Sequence, residues 1–362
     1  MASAVLSYLN AGATTEQLNA ALNTWGAIAM QPGTNAPIGG ATSAKLLQKD
    51  DAQVIAVFSA PQANQPATRL GDVIVAACDK GQYRAVYLAS QDPAFSGLAP
   101  NPRVHNLIDI TGDSLVDLSF ITGECGSGTC LDSLSILARL PAQDVFGLTN
   151  ISPDMAGVPN PTIHYAPGGA GQMVVISHGT FDDVNAGPQR RSQENWAFNG
   201  SVMAMNSASV EPALYRIHAL QDADNAFKRK DFAAATALYT RVMNDTTLLA
   251  WDGPGALKDE PSVLGAFAQF RLAQLALAQN NVAGAQSALS TLAAMPANVE
   301  NQPYFALGKA VSDALTDTND PEIACNTAIA FAEKTPQVYE QIGAGTFGFA
   351  NTDYQPADMC IR

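Results

Sequence analysis

A run of oxygen-bearing residues in the first half of the chain has the spacing of a cation-binding loop. The candidate ligands are Asp109, Thr111, Asp113, the main-chain carbonyl of Leu115, and Asp117. When oxygens at alternate positions fold into a tight loop they converge on one point, and Ca²⁺ is bound by about six to eight oxygens. The pattern therefore predicts a calcium loop, although Thr111 stands where Asp or Asn is usual and Ser114 where glycine is usual. The alternative is that the aspartates cap turns and face solvent.

A second polar stretch contains residue types that can act in catalysis. His178 is followed closely by Asp182 and Asp183, and a histidine beside a carboxylate can act as a general base. This stretch is the basis of an alternative function, an extracellular hydrolase. More often such a cluster is a surface loop that meets solvent. No Gly-x-Ser-x-Gly segment supplies a nucleophile, and no histidine has the partner four residues away that a zinc-binding helix needs.

Four of the five cysteines can be grouped into pairs. Cys125 and Cys130 stand at the ends of a Gly-rich turn, which suits a small disulfide loop in an oxidising compartment. Their spacing is not the Cys-x-x-Cys of zinc or thioredoxin sites. Cys325 and Cys360 can pair and fasten the C-terminal tail, whereas Cys78 is left over. The alternative is a set of free buried thiols in a cytosolic protein.

Length, composition and charge limit the possible classes of protein. A chain of 362 residues, 47% hydrophobic and 14% charged, is long enough for two folded domains and too apolar to be disordered. The 19 basic residues against 33 acidic ones argue against a nucleic-acid partner. The clusters Arg190-Arg191 and Lys228-Arg229-Lys230 are short and are interpreted as solvated turns.

Two kinds of segment are missing from the sequence. The sequence has no run of about 18 apolar residues, so no membrane span is predicted. The start of the chain, Met1-Ala2-Ser3, leads directly into an amphipathic pattern without the basic and apolar regions of a signal peptide. If the protein is exported, we expect its signal peptide, and any lipid anchor, to lie upstream of this sequence.

The elements that must position these residues fall into three parts. Residues 1–30 are predicted to form a helical brace, helical from about Val5 to Ile28, in which Thr14 to Gln17 match a capping box. A stretch rich in Pro, Gly and Asn, Gln31 to Gly40, ends this brace.

Residues 31–208 have short apolar runs broken by turn residues, which is typical of antiparallel sheets. The predicted strands are Val54 to Phe58, Val73 to Ala77, Tyr83 to Leu88, Leu115 to Thr122, Leu134 to Leu140 and Met173 to Ser177. Three or four sheet-sized units predict a partial or distorted propeller.

Residues 209–362 are predicted to be helical, because the apolar period changes from two to about 3.6 after Glu211. Lys230-Asp231-Phe232 with Ala235 and Tyr239 is repeated in kind by Asn280-Asn281-Val282 with Ala285 and Leu289. Small residues let antiparallel helices approach closely, and bulky ones fill the grooves between hairpins. This pattern resembles the tetratricopeptide repeat, with an irregular spacing. The predicted fold class is therefore α+β.

The order of these features resembles a family of uncharacterised exported or lipid-anchored bacterial proteins with integrin-type FG-GAP or VCBS repeats followed by tetratricopeptide-like helices. The resemblance is carried by the Asp109 loop, Cys125 to Cys130, Ala186 to Arg190, Trp196 to Gly200, Tyr215 to His218 and Asn351 to Cys360. In FG-GAP and VCBS repeats the aspartate loop binds calcium and joins two strands of a propeller blade. The resemblance implies this architecture and an extracytoplasmic location, and it implies no catalytic residue.

The predicted function is binding or scaffolding outside the cytoplasm, without catalysis. Sheet units and helical hairpins both present broad surfaces to proteins, peptides or glycans. Helices 215–345 are the expected place for a peptide partner, on analogy of fold alone. The rival is the hydrolase described above, which requires a pocket uniting His178 with Asp182 or Asp183.

Overall fold

Local sequence patterns produce an α+β architecture in the computed structural model of the protein. The structure describes residues 1–30, 37–49, 51–62, 65–95, 97–126, 129–141, 145–153, 157–169 and 171–361. Part of the predicted Gln31 to Gly40 stretch, Asp50, and the middle of the Cys125 to Cys130 turn lie outside these residues. The chain forms two compact units: unit 1 is 1–181 with 191–210, and unit 2 is 182–190 with 211–362.

Two helices begin unit 1. They are α1 (Ala2–Asn10) and α2 (Thr15–Thr24). The helical stretch predicted from Val5 to Ile28 begins at Ala2, ends at Thr24 and is interrupted at Gly12, whose φ of 91° does not continue a helix. The predicted capping box is confirmed, because Thr14 accepts from the amide of Gln17 and Gln17 accepts from the amide of Thr14.

The described part of unit 1 also contains one small sheet and three larger ones, all antiparallel. The small sheet pairs β1 (Ala29–Met30) with β2 (Pro37–Ile38). Sheet 1 consists of β3 (Gly40–Ala44), β4 (Gln53–Gln62), β5 (Gln65–Asp79), β6 (Gln82–Leu88) and β7 (Ala99–Pro100). Sheet 2 consists of β8 (Arg103–Ile108), β9 (Asp117–Gly126), β10 (Thr129–Ala138), β11 (Thr149–Asn150) and β12 (Val158–Pro159). Sheet 3 consists of β13 (Thr162–Gly168), β14 (Gly171–His178), β15 (Ser192–Phe198) and β16 (Met203–Val210).

Sheets 1 and 2 are buried on both faces, because successive side chains of a strand point to opposite sides of the sheet. On β4, Val54, Ala56 and Phe58 pack with the two helices. The residues between them, Ile55 and Val57, pack with sheet 2. Sheet 2 contacts sheet 1 through one face and sheet 3 through the other. The order is therefore helices, sheet 1, sheet 2, sheet 3, and successive side chains of a strand enter different cores.

The predicted antiparallel sheets are confirmed, but several strand bounds differ. The run Leu115 to Thr122 becomes strand only at Asp117, because the residues before it form the aspartate loop. The run Leu134 to Leu140 begins earlier, at Thr129, where a hairpin with β9 starts. No barrel closes among the described strands.

Unit 2 is helical, as predicted for the second half of the chain. Its helices are α3 (Arg216–Lys228), α4 (Phe232–Asn244), α5 (Glu260–Ala278), α6 (Val282–Ala294), α7 (Gln302–Thr318), α8 (Pro321–Lys334), α9 (Gln337–Glu340) and α10 (Ala344–Phe347). Within the stretch of chain from 211 to 361, no helix is both long and apolar enough to cross a membrane, and the same holds for the other described residues.

Three helix pairs, α3 with α4, α5 with α6 and α7 with α8, are joined by the same kind of short turn. Each turn contains a residue with left-handed backbone, Lys230, Asn280 or Asn319, with φ of 61°, 56° and 50°. The next residue, Asp231, Asn281 or Asp320, caps the following helix through its side chain. The sequence predicted the first two turns and missed the third.

Candidate functional site

The aspartate loop connects the first two strands of sheet 2 and is held by bonds from its own backbone. Asp109 Oδ1 accepts from the amides of Gly112 and Asp113 at 2.6 and 3.2 Å, and its Oδ2 accepts from Ser114 at 2.9 Å. Asp117 Oδ2 accepts from Ile110 and Thr111 at 2.7 and 2.8 Å. The loop is thus a set of side-chain-capped turns, and Ser114 takes a left-handed φ of 69° at the position where glycine is usual.

Two oxygens of this loop, Oδ1 of Asp117 and Oγ1 of Thr111, are buried and have no partner at hydrogen-bond geometry. Desolvation raises the pKa of Asp117 to about 6, although the amides of Thr111 and Ile110 and the nearby hydroxyl of Thr111 lower it. Among the residues that the structure describes, no three His, Cys, Asp or Glu side chains come close enough together to hold a metal ion. The loop therefore offers hard oxygen donors but no cluster of carboxylates.

The corresponding loop of sheet 1 uses a neutral side chain in the same role. Gln53 begins β4 as Asp117 begins β9, and its Oε1 accepts from the amides of Leu46 and Leu47 at 2.7 and 2.9 Å. Its Nε2 donates to the carbonyl of Asp51 at 2.7 Å, so both polar atoms of Gln53 are satisfied. The sequence did not predict this role of Gln53, because glutamine is not a usual turn-capping residue and here it accepts from amides six and seven residues away.

Sheet 3 closes the back of the aspartate loop. The amide of Gln172 donates to the carbonyl of Ile110 at 2.9 Å. A Cβ added to Gly171 would lie 2.1 Å from that carbonyl oxygen, so only glycine fits there. Gly171 begins β14 and takes the position of Gln53 and Asp117, without a side chain to hold a loop.

His178 lies at the end of β14 and pairs with a residue that the sequence interpretation did not include. Its Nε2 is 3.4 Å from Oε1 of Glu194 on the neighbouring β15, and its side chain is 23% exposed. Glu194 also accepts from the indole of Trp196 at 3.0 Å. Asp183 accepts from the amide of Asn185 at 2.8 Å and caps a 3₁₀ turn. Asp182 and Asp183 belong to unit 2, whereas His178 belongs to unit 1.

Both predicted cysteine pairs lie at disulfide distance. The Cα atoms of Cys125 and Cys130 are 4.0 Å apart, at facing positions of β9 and β10. Those of Cys325 and Cys360 are 5.4 Å apart and join α8 to the tail of the chain. Cys78, at the end of β5, is free and half-buried.

A groove of about 560 Å³ lies in unit 2 and is lined by residues from all three helix pairs. Its apolar wall includes Phe227, Phe232, Leu277 and Val311, together with Cys325 and Cys360. Lys230, Asn280 and Glu322, at or beside the three turns, add polar groups. Volume and composition are those of small-molecule sites, which range over about 300–1,000 Å³.

Residues 353–361, which we call the C-terminal strap, form one side of this groove through Cys360 and Ile361. Arg271 donates to the carbonyl of Asp358 at 2.7 Å, and Gln274 donates to that of Met359. The disulfide of Cys360 provides a covalent attachment. The groove therefore depends on the strap being held in place.

A buried ionic network anchors the strap. Asp224 accepts from Arg271 at 3.1 Å, from Tyr354 at 2.9 Å and from Tyr239. Arg271 is fully buried. Desolvation lowers its pKa, but Asp224 and the two tyrosines together raise the pKa by more than this, so the guanidinium stays charged. Burial, reinforced by Asp224, raises the pKa of both tyrosines, which remain hydrogen-bond donors. The sequence predicted Tyr239 only as a packing position of the helical repeat and did not predict the network.

Segment 182–190 is fastened within unit 2 rather than to the strands that flank it in sequence. Arg190 forms a two-bonded ion pair with Asp222, at 2.8 Å for each bond. His218 Nε2 lies 3.1 Å from the carbonyl of Pro188, and Asn351 donates to the same carbonyl at 3.1 Å. Three of the six segments that suggested the family resemblance, 186–190, 215–218 and 351–360, therefore meet at the carbonyl of Pro188.

A buried carboxyl at the start of α5 gives unit 2 a pH-dependent stability. Glu260 Oε2 accepts from the amide of Trp251 at 2.6 Å, while Oε1 has no hydrogen-bond partner. Desolvation raises its pKa from 4.5 to about 7, although the amide of Trp251 and the charge of Arg216 lower it. The folded protein thus binds this proton more tightly than the unfolded chain does.

We expect the contribution of Glu260 to stability to be full below about pH 4.5 and to be lost as the pH rises to about 7, a change on the order of 3 kcal/mol. Glu260→Gln should flatten this part of the profile, measured by urea unfolding at pH 5 and pH 8. Glu333→Gln, on the exposed face of α8, is the control. An unchanged slope in Glu260→Gln would contradict the assignment.

Comparison of the chain with protein-family models, with curated proteins and with solved structures found no match. The fold and its sites therefore define only a class, namely a two-unit α+β protein with two cysteine pairs at disulfide distance and an apolar groove in its helical unit.

Proposed function

We propose that the chain is an extracytoplasmic binding protein without catalytic activity, and that the groove of unit 2 is its binding site. The observation that carries this proposal is the groove itself, an apolar cavity of about 560 Å³ bordered by three helix pairs and the disulfide-bonded strap. This apolar lining favours an apolar ligand or an apolar peptide over a glycan. Sheets 1 to 3 are proposed to be propeller-like blades and the helix pairs tetratricopeptide-like repeats, as in the exported family.

An extracytoplasmic location makes the thiol content the first test. Protein isolated from its natural host without reductant, then denatured and alkylated, is expected to expose one reactive thiol, that of Cys78. The other four should react only after reduction, because a reducing cytoplasm would keep them as thiols. Five reactive thiols would refute the location.

Binding at the groove has its own test. A neutral apolar probe, dodecanol, is expected to bind in calorimetric titration, and Ala278→Phe is expected to prevent binding. Ala278 borders the groove and is exposed, so a larger side chain enters the groove without disturbing the core. Ala293→Phe, on the exposed face of α6, is the matched control. If neither dodecanol nor a charged amphiphile of the same chain length binds, or if binding to Ala278→Phe is equally tight, the groove is not a binding site.

We further propose that the aspartate loop binds Ca²⁺ weakly and for structure alone. Support comes from its all-oxygen donor set, namely Asp109, Thr111, Asp113, the Leu115 carbonyl and Asp117. The fit is best at Asp117 Oδ1 and Thr111 Oγ1, which are buried and accept no hydrogen bond. In sheet 1, by contrast, Gln53 Nε2 fills the corresponding role by donating to a carbonyl, and no cation is needed.

Calcium binding predicts a rise in stability of unit 1. At about 100 times the dissociation constant, the free energy of unfolding should rise by about 2.7 kcal/mol. Asp117→Asn should remove this rise, because it loses the charge while its amide oxygen can still accept from Ile110 and Thr111. Thermal unfolding with excess calcium and with chelator measures the difference, and Asp313→Asn, on an exposed face of α7, is the control. Equal melting temperatures in both conditions would show that the aspartate loop does not bind calcium.

A further inference from the structure

The deep part of the groove offers a ligand almost no free polar group. Among the described residues that border the groove, Gln274 is the one polar side chain that is buried, and both its amide atoms are occupied, Oε1 by Arg271 at 2.6 Å and Nε2 by the carbonyl of Met359. Phe227, Leu277 and Val311 complete this wall with buried apolar side chains. A peptide main chain placed here would lose its hydrogen bonds to water without replacement, which is costly. A hydrocarbon chain would lose none.

The rim of the groove carries charge of both signs. Lys230 stands in the left-handed position of the first turn, is exposed, and has no ion pair among the described residues. Its neighbour Lys228 is paired with Asp358 of the strap at 3.7 Å. Glu322, in the first turn of α8, contributes the opposite charge. The basic cluster 228–230, interpreted from the sequence as a solvated turn, therefore lies at the edge of an apolar cavity.

We infer that the groove binds a single-chain amphiphile with an anionic head group, such as a long-chain carboxylate. The hydrocarbon chain lies against the apolar wall and the head group meets the ammonium of Lys230, while the side chain of Asn280, which also borders the groove, offers a second polar contact. This inference rests on the proposed function, because it names the ligand class of the same groove. A peptide with apolar side chains is the competing occupant. The buried wall argues against it, because the one polar side chain described there, Gln274, is already hydrogen-bonded and cannot pair with a peptide main chain.

Because the rim carries opposite charges, removing each charge should change the affinity for an anionic head group in opposite directions. For dodecanoate, Lys230→Gln should weaken binding by about three- to fivefold, and Glu322→Gln should strengthen it by a similar factor, as expected for exposed charge pairs. For dodecyltrimethylammonium both effects should reverse. Lys258→Gln and Glu333→Gln change the net charge equally at exposed positions outside the groove, and they should leave both affinities unchanged.

Calorimetric titration of the full chain with dodecanoate, dodecanol and dodecyltrimethylammonium, each below its micelle-forming concentration, separates the possible results. Dodecanoate binding most tightly, with the two rim variants shifting its affinity in opposite directions, supports the inference. If dodecanol binds as well as dodecanoate, or Lys230→Gln behaves like Lys258→Gln, the head-group assignment is wrong, while binding at the groove stands. If none of the three binds, or Ala278→Phe blocks none of them, both the inference and the proposed site are wrong.

Discussion

Replacement of Arg271 by methionine is expected to lower the free energy of unfolding of unit 2 by about 3–5 kcal/mol. Arg271 is completely buried and is the cationic partner of Asp224, which is also buried. Removing the guanidinium leaves a carboxylate in an apolar core with only the two tyrosine hydroxyls to stabilise it. The variant also loses the bond to the carbonyl of Asp358, so the strap is loosened at the same time. Urea unfolding followed by the far-ultraviolet circular dichroism of the helices measures the effect.

Lys309→Met is the matched control for Arg271→Met. Lys309 forms an ion pair with Asp313 at 2.6 Å, but both side chains are more than half exposed, and such pairs contribute less than about 1 kcal/mol. A second variant, Arg271→Met with Asp224→Leu, should regain part of the loss because no unpaired charge remains. If Arg271→Met is no more destabilised than Lys309→Met, the network does not hold the strap.

Removal of the disulfide between Cys325 and Cys360 is expected to be the second large effect. The two residues are 35 apart in sequence, and loss of the cross-link frees a long loop in the unfolded chain. For a loop of this length the entropic effect is about 4 kcal/mol. Cys325→Ser should therefore lower the urea midpoint of unit 2 and release Cys360 for alkylation.

The second cysteine pair provides the comparison for this prediction. Cys125 and Cys130 are only 5 apart, so the same relation gives about 2 kcal/mol for Cys125→Ser, and the effect should fall on unit 1. The rank order matters more than either value, since strain and unfolded-state structure shift both. A larger loss for Cys125→Ser than for Cys325→Ser would contradict the role assigned to the strap.

Periodicity predicted the large elements well where burial is strong. Val54 to Phe58 is apolar at every position because alternate side chains enter two cores, and such a run is readily recognised as a strand. Strand β16 was missed because five of its eight residues are alanine, serine or asparagine, and residues 205–210 are exposed. A strand without a buried face leaves little hydrophobic pattern to detect.

The candidate sites divide in the same way. The cysteine pairs and the aspartate loop were predicted, because each depends on residues close together in sequence or on a rare residue type. The network around Asp224 was not, since its members lie on α3, α4, α5 and the strap, and nothing local indicates that they meet. Gln53 was missed for a different reason: its partners are the backbone atoms of Leu46, Leu47 and Asp51, which leave no trace in the residue types. The pairing of distant residues around Asp224 is decided by packing.

The division of segment 182–190 from its neighbours also determines the order in which the chain can be completed during synthesis. A Cβ on Gly187 would lie 1.5 Å from the carbonyl oxygen of Phe347, and Asn185 and Ala186 accept from the amides of Phe349 and Ala350. These partners leave the ribosome about 160 residues later, a delay on the order of 10–30 s. Sheet 3 can form once Val210 has emerged, but segment 182–190, which connects β14 to β15, cannot form its contacts until residues 347–350 have been made. A chain that ends between α3 and α10 would therefore form sheet 3 but leave segment 182–190 without these partners.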